Sequence, residues 1–231
     1  MIDPSRTVAD LVLEQPSRAR VFEGLGGDCC CGGKQSLSAA SDARGLAVDD
    51  AVAALESAAG VPSGERDWAR VPLSELCDHI VSAHHDHLRE ELPRLDGLLE
   101  KVERAHGDGR PDLSELRNTF VALRSELEEH IATEETQLFP LVRSGGPYDA
   151  EQVAELEHDH ASAGSALARL RDLSDGYDLD HALCNTHRAT LDGLRELELD
   201  LHQHIHEENN VLFPRALATA CLLYTSDAAD D

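Results

Sequence analysis

The stretch HIHEENNVLFP, residues 204–214, decides the fold that this sequence predicts. His204 and Glu208 are four residues apart, and residues at that spacing lie one above the other on the same face of an α-helix. An imidazole and a carboxylate on one helical face can bind the same metal ion. The stretch therefore predicts a helix that carries a two-residue metal ligand.

The same pattern occurs earlier in the chain as HIATEETQLFP, residues 130–140, with identical spacing from His130 through Glu134 to the proline. Each copy is preceded by another helical segment with its own histidine, His85 before the first copy and His160 before the second. Two similar helical hairpins predict an all-α protein, an antiparallel up-down four-helix bundle whose helices share one site.

Apolar residues recur every three or four positions along the four predicted helices and form a seam that faces the core. The seam includes Val81 in the first helix, Leu138 and Leu141 in the second, and Leu183 at the start of the fourth. Six polar residues also fall in it, namely His85, His130, Glu134, His160, His204 and Glu208.

Burial of six ionisable side chains is costly unless a charge compensates them. Four imidazoles and two carboxylates can supply two nitrogens to each of two metals and two bridging carboxylates. This set suits iron or manganese better than a closed tetrahedral zinc site. Any one of these histidines also fits an ordinary core position, and a metal-free helical interaction module is a further alternative. Six such residues that recur at matching positions in the two hairpins favour a metal site over these alternatives.

Composition divides the chain into parts. Residues 1–60 predict a small helical domain with a Cys-Cys-Cys-Gly-Gly loop, and the glycine and two prolines of residues 61–72 predict a linker. Residues 73–220 carry the bundle pattern. The last residues, 221–231, read CLLYTSDAADD and resemble the translation of a sequencing adapter, so we interpret them as an artefact of cloning or assembly.

The formal net charge of -25 at pH 7 argues against binding to nucleic acid or to an anionic membrane surface. No apolar run of about 18 residues predicts a membrane span, and no signal peptide is recognisable at the start. Three cysteines are adjacent and the other three are scattered, which differs from a secreted disulfide framework. These features predict a cytoplasmic protein with reduced thiols.

The sequence resembles the hemerythrin-like iron-sulfur cluster repair proteins, which are di-iron proteins with a cysteine-containing domain before a four-helix bundle. The resemblance extends to about Ala220. The segments that carry it, in order, are DCCCGGKQSL (28–37), HHDHLREELPRL (84–95), HIATEETQLFP (130–140), AGSALARLR (163–171) and HIHEENNVLFPRALA (204–218).

This resemblance implies two iron ions with an oxo or hydroxo bridge. The family's ligands fall on the same six residues that the seam selects, with Glu134 and Glu208 as bridging carboxylates. The family's paired cysteines fall on Cys30 and Cys31, which implies a thiol role for them, and this chain has Cys29 where relatives often carry an aromatic residue.

The function implied is repair of iron-sulfur clusters damaged by nitrosative or oxidative stress, through supply of iron. The partners would be damaged iron-sulfur proteins, and the resemblance also makes a homodimer plausible. The alternative function is binding, sensing or reduction of nitric oxide or dioxygen at the di-iron centre. Whether the protein is an enzyme, for example a nitric oxide reductase, stays open at this point.

Overall fold

The computed structural model describes residues 2–15, 18, 21–22, 25, 33–57, 68, 70–146 and 150–218. These residues form helices and no β-strand, apart from one isolated antiparallel bridge between Thr7 and Ser36. The predicted all-α class is thereby confirmed. None of the described helices combines the length and the hydropathy that crossing a bilayer requires.

The described residues divide into two compact units. One, the terminal unit, consists of the residues up to Leu76 together with those from His202 onward. The other, the bundle unit, runs from Cys77 to Leu201. The predicted domain boundaries at residues 60, 72 and 220 fall in or beside stretches outside the described residues, so they stay a prediction.

The described residues in the N-terminal part of the terminal unit include the short helices α1 (Val8–Glu14), α2 (Leu37–Asp42) and α3 (Val48–Ser57). The side chain of Thr7 accepts a hydrogen bond from the backbone N–H of Asp10, and that of Ser36 accepts one from Ala39. Side chains of this kind satisfy backbone donors that the first turn of a helix leaves unpaired. Both helices therefore begin where the sequence supplies a capping hydroxyl.

A small apolar core holds these helices together. Its buried members are Ile2, Val8, Leu11, Val12, Phe22, Leu37, Ala51 and Leu55. Backbone hydrogen bonds add to it, because Val8 donates to the carbonyl of Gln35 at 2.9 Å and Ala9 donates to that of Gly33 at 2.9 Å. The chain that follows the cysteine run is thus fixed to the start of α1.

The C-terminal residues of the terminal unit are held by Arg215. Its guanidinium donates to the backbone carbonyl of Trp68 at 2.6 Å and to that of Val71 at 2.5 Å. Hydrogen bonds from a charged donor are stronger than neutral ones. Arg215 therefore ties the helix of residues 213–218 to the segment that leads into the first long helix.

The long helices are interrupted by three π-helical turns. The first run comprises α4 (Leu73–Ile80), a π-turn (Val81–His85) and α5 (Asp86–His106), and the second comprises α6 (Pro111–Thr133), a π-turn (Glu134–Leu138) and α7 (Phe139–Ser144). The third long helix is α8 (Ala150–Leu173), which has no π-turn. The fourth long helix comprises α9 (Asn185–Glu207), a π-turn (Glu208–Leu212) and a helical segment at 213–218. A short 3₁₀ turn, Leu179–His181, precedes α9.

All four long helices contribute to the core of the bundle unit. Its members are Leu88, Leu92, Leu95, Leu99, Leu116, Phe120, Leu123, Leu127, Ile131, Ala163, Leu167, Leu170, Tyr177, Leu191, Leu194, Leu197 and Leu201. Most are leucines at the spacing that the sequence predicts. Pro93 lies inside α5 without ending it, as expected for a helix supported by packing on a core.

The predicted seam is wrong at three positions. Val81 and Leu141 are only half-buried, whereas Ile80 and Val142 occupy the core, and Leu183 is exposed. The first two errors have one cause, because each lies at or just after a π-turn, where one additional residue shifts the face that points inward. Leu183 lies before the first residue of α9.

His187 stabilises the start of α9. It is buried, its Nδ1 accepts a hydrogen bond from the backbone N–H of Leu183 at 3.1 Å, and its backbone N–H donates to Cys184 Sγ at 3.4 Å. Burial lowers the pKa of His187 below its ordinary value, and the nearby positive charge of Arg110 lowers it further. The folded state therefore favours the neutral form of the His187 imidazole.

We predict that the bundle resists a methyl group at Gly193 but not at Gly97. A Cβ on Gly193 would lie 2.7 Å from Leu95 Cδ2 and 2.8 Å from Arg94 Nη2, whereas one on Gly97 meets nothing within 4 Å. Gly97→Ala should raise the free energy of unfolding by about 1 kcal/mol through helix propensity. Gly193→Ala should lose that gain to overpacking of about 1–3 kcal/mol. Urea denaturation measures both, and equal stabilisation by the two would contradict the close approach of α9 to α5.

We also predict that His187 makes the fold sensitive to acid. Because its pKa is lowered in the folded state, its contribution to stability is present above its ordinary pKa of about 6.5 and is lost as pH falls through the folded value. In His187→Gln, an amide oxygen can still accept from Leu183 but cannot take up a proton. The loss of stability between pH 7 and pH 5 should be smaller in this variant, as measured by thermal unfolding, and parallel curves would refute the assignment.

Candidate metal centre

Each of the three π-turns carries a predicted metal ligand at one end. The first ends at His85, the second begins at Glu134 and the third begins at Glu208. In each, a backbone N–H bonds to the carbonyl five residues earlier, from Asp86 to Val81, from Phe139 to Glu134 and from Phe213 to Glu208. π-turns are rare and occur mainly at functional sites.

The repeated Leu-Phe-Pro sequence explains where two of these turns close. Phe139 and Phe213 donate the closing i→i−5 hydrogen bonds, and a proline follows each of them directly. Proline has no N–H, and its ring collides with the carbonyl four residues earlier in a regular α-helix. A wide turn before the proline removes that collision. The sequence therefore favours a π-turn after each ligand carboxylate.

The bundle unit brings four of the predicted ligands together. Glu134 Oε2 lies 3.3 Å from His85 Nε2, and Glu134 Oε1 lies 3.5 Å from His130 Nε2. His130 Nε2 lies 2.9 Å from His160 Nε2. All four side chains are buried, and Glu134 is 0% exposed. Three helices thus direct imidazole nitrogens towards one carboxylate.

Outer carboxylates hold two of these imidazoles in place. Glu135 Oε1 lies 2.8 Å from His85 Nδ1 and accepts a further hydrogen bond of 2.7 Å from Arg89, while Asp159 Oδ2 lies 3.4 Å from His130 Nδ1. A carboxylate can only accept, so the proton of each neutral ring is on Nδ1 and the lone pair is on Nε2. Metal-binding histidines characteristically have such a carboxylate behind them.

The charge state of Glu135 supports this arrangement. Burial alone would raise its pKa, but hydrogen bonds from Arg89 and His85 outweigh burial, and the pKa lies below the ordinary value. Glu135 is therefore ionised near neutral pH. An ionised carboxylate fixes both the tautomer and the orientation of the His85 ring.

The same protonation pattern leaves electron pairs facing one another around Glu134. The Nε2 lone pairs of His85 and His130 point at carboxylate oxygens, and among the described residues neither oxygen of Glu134 receives a hydrogen bond. Such an arrangement is unfavourable in a dry core unless a positive charge lies between the groups. A bound cation supplies that charge, so these residues fit a metal site.

The terminal unit contains the other predicted pair. His204 Nε2 lies 3.0 Å from Glu208 Oε1, one helical turn away, and both side chains are buried. Close by, His206 Nδ1 is 3.1 Å from the side-chain amide nitrogen of Asn210. The His-x-x-x-Glu motif therefore forms the local pair that its spacing predicts.

Other candidate residues have different positions. Cys30 and Cys31 lie outside the described residues, whereas Cys77 is buried and Cys184 is half-buried. Two carboxylates next to seam positions differ in their contacts, because Asp159 faces the predicted ligand His130, whereas Glu126 accepts a hydrogen bond from Ser162.

Sequence reasoning missed Glu135 and Asp200. Glu135 orients His85, and Asp200 Oδ1 lies 2.8 Å from Nδ1 of the buried His84. The periodicity of a helix shows which residues face inward but does not show which side chain of a neighbouring helix they meet. The one available signal was the position of Glu135, directly after a ligand and opposite a helix rich in histidine.

Family models match most of the chain. The model described as the hemerythrin HHE cation binding domain matches residues 78–216. A second model, described as a domain of unknown function (DUF542), matches residues 4–59. The first of these contains all six predicted ligands, and the second contains the cysteine run.

Curated relatives match over nearly their whole length. Proteins named iron-sulfur cluster repair protein YtfE are 39% identical over 213 residues in Pectobacterium carotovorum and 36% identical over 213 residues in Dickeya chrysanthemi, in both cases covering 92% of this chain and 96% of the relative. The protein of that name from Yersinia pseudotuberculosis is 36% identical over 214 residues, covering 92% and 97%. The chain belongs to the hemerythrin-like family of iron-sulfur cluster repair proteins, as the resemblance predicted.

Proposed function

We propose that this protein holds two iron ions among the buried histidines and glutamates and supplies iron to damaged iron-sulfur clusters. The curated relatives carry this repair function in their names, and the buried carboxylate of Glu134 supports the metal. The ligand set proposed is His85, His130, Glu134, His160, His204 and Glu208.

The observation that carries the two-metal proposal is the way Glu134 divides its oxygens. One oxygen faces His85, and the other faces His130, which in turn lies against His160. A carboxylate whose two oxygens face different imidazoles is suited to bridge two cations. The repeat of the His-x-x-x-Glu motif assigns the corresponding bridging role to Glu208.

The residues around these ligands hold and protect them. Glu135 and Asp159 fix the ring orientations of His85 and His130, so their Nε2 atoms face inward. The leucines of the bundle core exclude water from one side of the site. The site is therefore preorganised, which reduces the ordering required when iron binds.

Iron is the cargo in this proposal, and the ligand chemistry favours its release. Nitrogen and oxygen ligands bind iron less strongly than the thiolates and sulfides of an iron-sulfur cluster, which are soft ligands. Iron therefore passes from the bundle towards the cluster. We assign Cys30 and Cys31 as thiols that receive iron on this route, on a segment whose continuation at Gly33 is hydrogen-bonded to α1.

The first test asks whether Glu135 orients His85 for iron binding. Glu135→Gln removes the ionised acceptor behind His85, and we expect iron affinity to fall by about 10–100-fold. The matched control is Glu128→Gln, which also breaks a glutamate–arginine pair, with Arg124 on α6, but touches no histidine. Competition with an iron chelator measures both variants. Equal affinity losses would show that the effect comes from the loss of an ion pair alone.

The second test is iron transfer. The iron-loaded protein is mixed with an enzyme whose [4Fe-4S] cluster has been damaged, and recovered activity is followed together with the iron left on the protein. We expect recovery matched by iron loss, and little recovery with Glu134→Ala because this variant cannot load the iron.

Two further results decide the mechanism. Replacement of Cys30 and Cys31 by alanine should slow transfer at least tenfold while leaving iron content unchanged. Iron that stays bound while the enzyme remains inactive would reject repair and favour chemistry of nitric oxide or dioxygen at the same centre.

A further inference from the structure

Outside the proposed ligand set, the bundle unit brings two more histidines together. His84 is buried and His79 is half-buried, and their rings meet edge to face with centroids 5.8 Å apart. A potential ligand nitrogen of each lies within 4.8 Å of the other. Two nitrogens on one tetrahedral ion bonded at 2.0–2.1 Å are about 3.3 Å apart, so rotation of the rings towards each other lets both bind the same ion.

The first π-turn is responsible for this proximity. Residues five apart lie on different faces of an α-helix, but the hydrogen bonds of a π-turn join residues five apart and place them closer to one face. His79 precedes the turn at Val81–His85, and His84 lies within it. The same turn that directs His85 towards Glu134 therefore directs His84 towards His79.

Asp200 fixes the tautomer of His84 that can bind a metal. Its Oδ1 lies 2.8 Å from His84 Nδ1, so the carboxylate accepts a hydrogen bond from Nδ1–H and the lone pair of the neutral ring is on Nε2. Glu135 has the same relation to His85 at the same distance. Asp200 is half-buried, and a histidine that serves only as packing does not need a carboxylate that fixes its tautomer.

We propose that His79 and His84 form a second, mononuclear site for a divalent transition-metal ion. Imidazole nitrogen suits zinc, copper, nickel and iron, and water can complete the coordination of an ion held by two histidines. The partial exposure of His79 gives the ion access from solvent. The site is separate from the six-residue set, because neither histidine belongs to it.

The test uses zinc as the probe on the full chain after saturation with iron. Zinc binding is measured by calorimetry, and both metals are quantified after dialysis. His79→Phe keeps an aromatic ring for the edge-to-face contact and removes the nitrogens, so we expect one equivalent of zinc to bind at least tenfold more weakly. His87→Phe is the matched control, because His87 is also half-buried and lies close in sequence. It should bind zinc like the unmodified protein.

A second variant tests the role of Asp200 without altering either histidine. Asp200→Asn should weaken the same equivalent of zinc by about tenfold, as expected when the carboxylate behind a metal-binding histidine is lost. Iron content should stay unchanged in all three variants. The proposal is overturned if His79→Phe binds zinc as tightly as the unmodified protein, or if it loses iron instead, since iron loss would place His79 in the iron site.

Discussion

The structure depends on the accommodation of one buried carboxylate. Glu134 has no exposure to solvent, lies among leucines and imidazoles, and receives no hydrogen bond to either oxygen from the described residues. Removal of an ion from water costs several kcal/mol even after the protein has relaxed. Packing of apolar side chains cannot recover that energy, because it does not act on charge. A cation between Glu134 and its histidines can offset that cost. For this reason the site constrains how the surrounding helices pack.

The π-turns show how the helices meet this constraint without losing their packing. In a regular helix, a residue that points inward is followed by apolar positions three and four residues later. After Glu134 the extra residue of the turn lets Leu138 and Phe139 both enter the core, with Val142 next. The first run shows the same effect, since Ile80, His84 and His85 are all buried. One wide turn therefore places a predicted ligand and its apolar neighbours in the core at the same time.

Sequence periodicity predicted much of this architecture, and its failures have physical causes. It predicted four helices and the burial of six polar residues, and all six are buried. It misplaced Leu141 and Val81 because a seam with a fixed period has no means to represent an inserted residue. The prolines after Phe139 and Phe213 indicate where a residue is inserted, because each proline ring disfavours a regular α-helical turn before it. Glu135 escaped notice for another reason, since its partner belongs to a different helix and that pairing is set by tertiary packing.

The same chemistry that makes the site stable also suits it to give up its metal. A store would benefit from thiolates, which hold iron tightly, and would place them around the ion. The described ligand candidates are imidazoles and carboxylates, fixed from behind by Glu135 and Asp159 so that little rearrangement accompanies binding or release. Cys30 and Cys31 lie elsewhere in the sequence, in the segment before Gly33 that matches a different family model. Under the proposed function, separation of weaker ligands from stronger ones along the chain would give iron a direction in which to move, and such a direction distinguishes a donor from a store.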